Sequence, residues 1–166
     1  MGYQQFLFEE YLDPIRLKAG KQTCPCCGKK MRAYRKEINK KTASLLIEIF
    51  RWCRDNKRNT FNPVRVFDSN HWAIAKMQIL HYFGLISRTK HTGWWNLLPK
   101  GVDFLAGHIQ IPQSVWAFNN KVILEDDAYV HIDNVVPQWQ VSPSDYRFDY
   151  IPVQYRTEIP LKELKR

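Results

Sequence analysis

Ser69-Asn70-His71-Trp72-Ala73-Ile74-Ala75-Lys76-Met77-Gln78-Ile79-Leu80-His81-Tyr82-Phe83-Gly84-Leu85-Ile86-Ser87-Arg88 runs into Thr89-Lys90-His91-Thr92-Gly93-Trp94-Trp95-Asn96-Leu97-Leu98, and then into Pro99-Lys100-Gly101-Val102-Asp103-Phe104-Leu105-Ala106-Gly107. Asp68 or Ser69 caps a helix expected over residues 70–83, with Ile74, Met77 and Leu80 on one apolar edge. Gly84 is the left-handed stop expected just past a helix end. Residues 85–88 and 94–98 have the composition of two short strands, with a basic, Gly-containing turn at 89–93 between them. Pro99 opens the next helix at a position where a missing N–H costs little, and Gly107 ends it. Helix, strand, basic turn, strand and helix in that order predict a winged helix-turn-helix, a fold that presents a helix and a projecting loop to a duplex.

Upstream, residues 40–56 have a helical pattern. Leu45, Leu46, Ile49, Phe50 and Cys53 fall on one stripe at spacings of three and four, with Thr42 or Asn39 as the cap. Residues 60–67 fit either the second helix of the motif or a strand, and Pro63 restricts both. Before them, residues 1–23 have the pattern of a short arm with docking residues such as Phe6, Leu12, Ile15 and Leu17, and Asp13-Pro14 is expected to break any helix there. After residue 107 the texture changes to short strands rich in β-branched and aromatic residues, with Asn119-Asn120 suited to a two-residue hairpin. From Val135 onward prolines recur and periodicity fades, as in a wrapping tail.

The expected fold class is therefore α+β. A winged-helix core at 40–107 follows an N-terminal arm and basic cysteine knuckle at 1–39, and a small β-rich extension and tail occupy 108–166.

The net charge of +9 is unevenly spread. Residues 29–58 hold eleven Lys and Arg against Glu37, Glu48 and Asp55, a balance of +8. Residues 121–150 hold two basic side chains against six acids, a balance of −4. One basic end and one acidic end point to an oriented protein with a face toward a polyanion, whereas a solvated charged surface is the plainer account. No run of 18 apolar residues is present, so no membrane helix is expected. The N-terminus lacks the basic and apolar regions of a secretory signal, and the expected location is the cytoplasm.

On the winged-helix reading, Asn70, His71 and Lys76 would reach base edges or phosphate from the groove-facing half of the helix. Arg88, Lys90 and His91 on the wing would meet the backbone or minor groove. Lys40, Lys41, Arg51, Arg54, Lys57 and Arg58 would add affinity that is independent of sequence. The helix at 70–83 carries one Lys and two His, so it is not strongly basic, and winged helices also dock on proteins. Trp72 fits either a core position or an exposed anchor for a protein partner.

Cys24-Pro25-Cys26-Cys27-Gly28 contains a C-x-x-C followed by Gly, a loop that offers the Cys24 and Cys27 thiolates to one metal while its amides turn toward sulfur. Zinc is the expected cofactor. A closed site needs four ligands, and only one such knuckle is present. Cys53 lies on the helical stripe and suits a core position. His71, His91, His108 and His131 are open as further ligands, two copies of the chain sharing one metal are another solution, and a degenerate knuckle serving as a plain turn is the third.

No G-x-S-x-G, phosphate-cradling Gly loop or H-E-x-x-H occurs, so no enzyme is expected. Glu125-Asp126-Asp127 keeps a metal-dependent nuclease as an alternative, against a solvated hairpin connection.

The chain from about Cys24 to Tyr150 resembles a family of small bacteriophage proteins. Cys24-Pro25-Cys26-Cys27-Gly28, Ala33 through Lys40, His81 through Ile86, Gly93-Trp94-Trp95 and Pro99 through Leu105 carry the likeness. Gln110-Ile111-Pro112, Asn119 through Val122 and Arg147-Phe148-Asp149-Tyr150 complete it. The resemblance implies a phage origin, hence the host cytoplasm, and the knuckle-plus-winged-helix layout. The wing-and-helix piece is similar to that of bacterial winged-helix repressors. The function expected is nucleic-acid binding, to duplex DNA, in phage transcription or genome processing. The alternative is a protein-binding factor that inhibits or redirects a host complex such as a defence system or RNA polymerase.

Overall fold

Asp13 and Pro14 begin a helix instead of breaking one. In the computed structural model, which describes residues 12–139, the Asp13 carboxylate accepts the backbone N–H groups of Ile15 and Arg16 at 3.0 and 3.3 Å. Pro14 takes the first helical position, where its missing N–H is no loss, and α1 (Pro14–Lys18) follows. Leu17 is buried with Met31 and Ala33 in a small core. The arm before residue 12 and the tail from residue 140, including the Arg147–Tyr150 piece of the resemblance, lie outside the described residues.

Strands β1 (Gln22–Thr23) and β2 (Lys30–Met31) pair antiparallel and are closed by the cysteine turn. Strand β3 (Tyr34–Glu37) leads into the long helix α2 (Lys40–Asp55). The Asn39 side-chain oxygen caps α2 by accepting the Thr42 N–H at 3.0 Å and the Thr42 hydroxyl at 3.1 Å. An Asn39→Ala chain is expected to lose about 1 kcal/mol of unfolding free energy, measurable as a lower urea midpoint at unchanged slope. The stripe of Leu45, Leu46, Ile49, Phe50 and Cys53 is buried as its spacing predicts, and Ala43 and Ile47 widen it.

Residues 60–67 supply both a strand and a helix. Strand β4 (Thr60–Phe61) is followed at once by α3 (Pro63–Phe67), with Asn62 capping the Val64 N–H at 2.9 Å and Pro63 at the helix start. Asp68 and Ser69 both adopt left-handed backbone (φ 47° and 61°), so neither caps the next helix. Asn70 does, accepting the Trp72 and Ala73 N–H groups.

The single helix expected over 70–83 is instead two, α4 (His71–Ala75) and α5 (Met77–Tyr82). At the junction the Lys76 N–H bonds to the Ala73 carbonyl, and the Ile79 N–H to the Lys76 carbonyl, both at 3.0 Å. These three-residue bonds tighten the helix there. Gly84 (φ 70°) ends α5 as its position predicts, with the Leu85 N–H returning to the Leu80 carbonyl.

Strands β5 (Ile86–Arg88) and β6 (Trp95–Leu97) form an antiparallel hairpin, and β4 adds on the far side of β6, giving the order β4–β6–β5. Helix α6 (Pro99–Leu105) returns across the core. The C-terminal elements are β7 (Ile111–Pro112), β8 (Ser114–Phe118), β9 (Lys121–Glu125), β10 (Tyr129–Val130) and α7 (Ile132–Val135). Asn119 and Asn120 (φ 49° and 62°) make the tight turn between β8 and β9.

Strand β3 pairs with β8 from Tyr34 opposite Ala117 to Glu37 opposite Ser114, so the sheet β3–β8–β9 joins the segment before α2 to the segment after α6. The molecule is thus a mixed α and β protein. One large core of Leu46, Phe50, Leu80, Leu85, Leu97 and Phe104 extends to Ile111 and Ile132. Trp139 closes its edge, donating its indole N–H to the Leu105 carbonyl at 2.8 Å and meeting Phe50 edge-on at 6.4 Å. Among the described residues no helix is long and apolar enough to cross a membrane.

Candidate nucleic-acid interface

The sharp left-handed pair Asp68-Ser69 turns the chain so that α4 starts beside the first turn of α2. Between them lies an open cleft of about 750 Å³, with Lys40, Lys41 and Glu48 on the α2 side and Phe67, Asn70 and Trp72 on the other. A second cleft, of about 410 Å³, shares Lys41 and Trp72 with the first and adds Arg35, Lys36 and Lys76. The two form one groove across this face. Trp72 stands in it 46% exposed, with the Lys76 ammonium 5.8 Å from its ring centroid. A large aromatic left this open on a groove wall costs apolar hydration, and the ammonium over its ring is held by a cation–π contact.

The charges of the groove are mostly positive. Lys36, Lys40, Lys41 and Lys76 face Glu37 and Glu48, and Glu37 is drawn off by an ion pair with Arg35. Asn39 and Lys40 also place the N-terminal end of the 16-residue α2 at the groove, where its dipole favours an anion.

The predicted contact residues separate into three groups. Lys40, Lys41, Asn70 and Lys76 come together in the groove, and His71 is exposed in the first turn of α4. Asn70 spends its carbonyl oxygen on capping.

Arg88, Lys90 and His91 line the β5–β6 turn. The Arg88 guanidinium lies 5.2 Å from the Trp95 ring and bonds to the Gln78 side chain, which ties β5 to α5. Thr89 braces the turn by accepting the His91 N–H through its hydroxyl at 3.1 Å. Arg58 stacks at 5.2 Å on Trp94 and donates to the Thr60 hydroxyl, while Arg65 takes up a similar position at 5.3 Å on the same ring.

Arg51, Arg54 and Lys57 form the third group, on the later turns and end of α2. Arg51 lies 5.4 Å from the Trp139 ring in a cleft with Val136, and Arg54 pairs with Asp55 at 3.1 Å. The Arg51 cleft adjoins the groove, with Ser44 and Glu48 common to both, whereas Arg54 does not line it. Lys36, Arg35 and Arg65 were not among the predicted contacts. Only the basic composition of 29–58 hinted at the first two, and nothing in sequence spacing pointed to the third.

The cysteine turn is built as a knuckle-shaped loop. The Cys24 N–H bonds to the Lys29 carbonyl at 2.8 Å and the Gly28 N–H to the Cys24 carbonyl at 2.9 Å, with Gly28 left-handed at φ 69°. The backbone N–H groups of Cys26 and then Cys27 donate to the Cys24 sulfur and hold its thiol below the usual cysteine range. Cys53 is different: burial pushes its thiol far up, as a core position requires. His81 bonds through Nδ1 to the Ile86 carbonyl, and His108 sits 3.7 Å from Asp103. Among the described residues no three Cys, His, Asp or Glu side chains gather as a metal-holding group.

Glu125 and Asp126 are engaged locally. Asp126 accepts the Ser114 hydroxyl at 2.7 Å and pairs with Arg35 at 3.5 Å; the Ser114 bond is the main cause that lowers its carboxyl below the usual range. Glu125 accepts the Tyr129 hydroxyl at 3.2 Å and thereby raises the Tyr129 phenol. No protein-family model, curated protein or solved structure matches the chain.

Proposed function

We propose that residues 40–107 form a winged helix and that the protein binds duplex DNA through the groove between α2 and α4. The observation that carries this reading is the lysine-lined groove with an exposed Trp72 at the start of α4. The element order helix, strand, three helices, strand, turn, strand, with the first strand paired to the last, supports the winged-helix part. Docking is electrostatic first. Lys36, Lys40, Lys41 and Lys76 neutralise phosphates and release counterions, and the short helix α4 with His71 and Trp72 approaches the base edges. The Gln78–Arg88 bond fixes the β5–β6 turn, with Lys90 and His91, against the same helix pair, so that the turn adds contacts to the backbone or minor groove. The resemblance to small bacteriophage proteins supplies the setting, phage transcription or genome processing.

Titration of a short duplex followed by fluorescence anisotropy at several salt concentrations tests this. Four groove lysines predict a slope of log affinity against log salt of about −3.6, steeper if the wing also touches phosphate. Absence of binding at low salt would remove the proposal. The apolar residues Leu45, Phe67 and Trp72 in the same cleft favour, as the second reading, a host protein partner. That reading predicts capture of a specific protein whose binding is lost in Trp72→Ala while duplex DNA is ignored.

A further inference from the structure

The cysteine turn holds chemistry that nucleic-acid docking does not use. Cys26 and Cys27 are exposed and Cys24 half-exposed, at the tip of the two-residue strands β1 and β2. The loop is anchored behind its tip, where Cys24 packs on the small core of Leu17, Met31 and Ala33. Its outer side is open: a Cβ built on Gly28 would meet nothing within 4 Å.

The geometry suits half of a tetrahedral thiolate site. Cys24 and Cys27 have the spacing that places two sulfurs on one ion, and the loop amides already point at the first sulfur, where a bound thiolate needs donors. The chain has four Cys and five His, all between residues 24 and 131. Cys53 is sealed in the core, and among the described residues no third ligand joins the knuckle pair in a metal-holding group. One copy therefore supplies too few soft ligands to close a structural zinc site, which takes four.

We infer that the exposed Cys24–Cys27 knuckle is half of a zinc site and that two copies of the chain close it, joining through a shared metal held by four thiolates. Formation replaces four S–H bonds with four Zn–S bonds and releases four protons to solvent, leaving a tetrathiolate centre of charge −2. Lys29 and Lys30 follow each knuckle directly in the chain and Lys21 precedes β1, all three exposed, and their charge offsets that of the centre. Without metal the same lysines make two knuckles repel, so association depends on the ion. Cys26 stands outside the C-x-x-C spacing and is assigned no ligand role.

The test uses the reduced full chain, zinc ion alone as the probe, and light scattering with metal analysis. The expected result is uptake that saturates at one zinc per two chains, with the mass doubling in step and a chelator reversing both. Cys27→Ser, at an exposed position outside the small core, should abolish uptake and dimer together. Cys24→Ser should do the same, and Cys26→Ser should keep both. Saturation at one zinc per monomeric chain, a dimer that forms without metal, or uptake that survives in Cys27→Ser would each overturn the shared site, as would no uptake at all. Circular dichroism of each variant without metal checks that loss of uptake is not loss of folding. The readout involves no DNA, so failure here leaves the nucleic-acid reading standing, and the reverse.

Discussion

Gly101→Val is expected to unfold the protein more readily than any other single change considered. Gly101 lies in α6 where the helix crosses the start of β5, and a Cβ built there would sit 2.5 Å from the Leu85 carbonyl oxygen and 3.2 Å from a Leu97 methyl. The neighbour is backbone, so rotating a side chain cannot relieve the contact. The Leu85 carbonyl also accepts the Leu98 N–H at 3.0 Å, the bond that joins the residue before α6 to the strand. Moving one element away strains that bond.

Overpacking of this kind costs about 1–3 kcal/mol, and a rigid neighbour places it at the upper end. For Gly101→Ala the better helix propensity of Ala returns roughly 1 kcal/mol, leaving a net loss of about 2 kcal/mol. Val adds two methyl groups to the same space and gains less from propensity, so its loss should exceed roughly 3 kcal/mol. Against a total stability of about 5–15 kcal/mol that is a large fraction. Thermal melts should place Gly101→Ala roughly 6 °C below the parent chain and Gly101→Val more than roughly 10 °C below it. An alanine variant as stable as the parent would show that α6 and β5 are not packed this closely.

The second large effect concerns binding. Lys41→Glu combined with Lys76→Glu should weaken duplex DNA affinity by at least about 10²-fold near 0.1 M salt. Lys41 borders both parts of the groove and Lys76 lies beside Trp72, so the pair flanks the aromatic ring. Each lost phosphate contact removes about one counterion from the salt dependence, so the slope should flatten by roughly 1.8. Reversal of charge adds repulsion beyond that loss.

The matched control is Arg54→Glu with Lys57→Glu, which makes the same change in net charge. Arg54 pairs with Asp55 and Lys57 lies just past the end of α2, and neither lines the groove, so the control should lose far less affinity. Equal losses from the two pairs would mean that binding follows overall charge and that the groove has no special part.

That contrast shows where the charge pattern misleads. Residues 29–58 carry one dense run of cations, and sequence alone treats them as one patch. Helix geometry divides them. Lys40 and Arg51 are eleven residues apart on α2, roughly 16 Å along its axis, so one lines the groove and the other meets the C-terminal tryptophan. Lys36 on the β3 strand joins the groove because β3 ends where α2 begins, and Lys76 reaches it from the α4–α5 junction. No linear spacing encodes that convergence.

What the sequence determined by itself is local. The stripe of Leu45, Leu46, Ile49, Phe50 and Cys53 announces a buried helix face because 3.6 residues per turn is a property of the backbone. Gly84, Pro99, Gly107 and Asn119-Asn120 mark ends and turns because φ preference belongs to each residue alone. Tertiary structure decided what depends on distant neighbours. Competing local signals were settled there: Asp13-Pro14 became a helix start, and residues 60–67 became strand and helix both. It paired β3 with β8 across some eighty residues, where Arg35 bonds to Ser114. It left Trp72 in the open while burying Trp94, a choice that rests on which surfaces the rest of the chain covers, since an indole carries the same apolar area in either place.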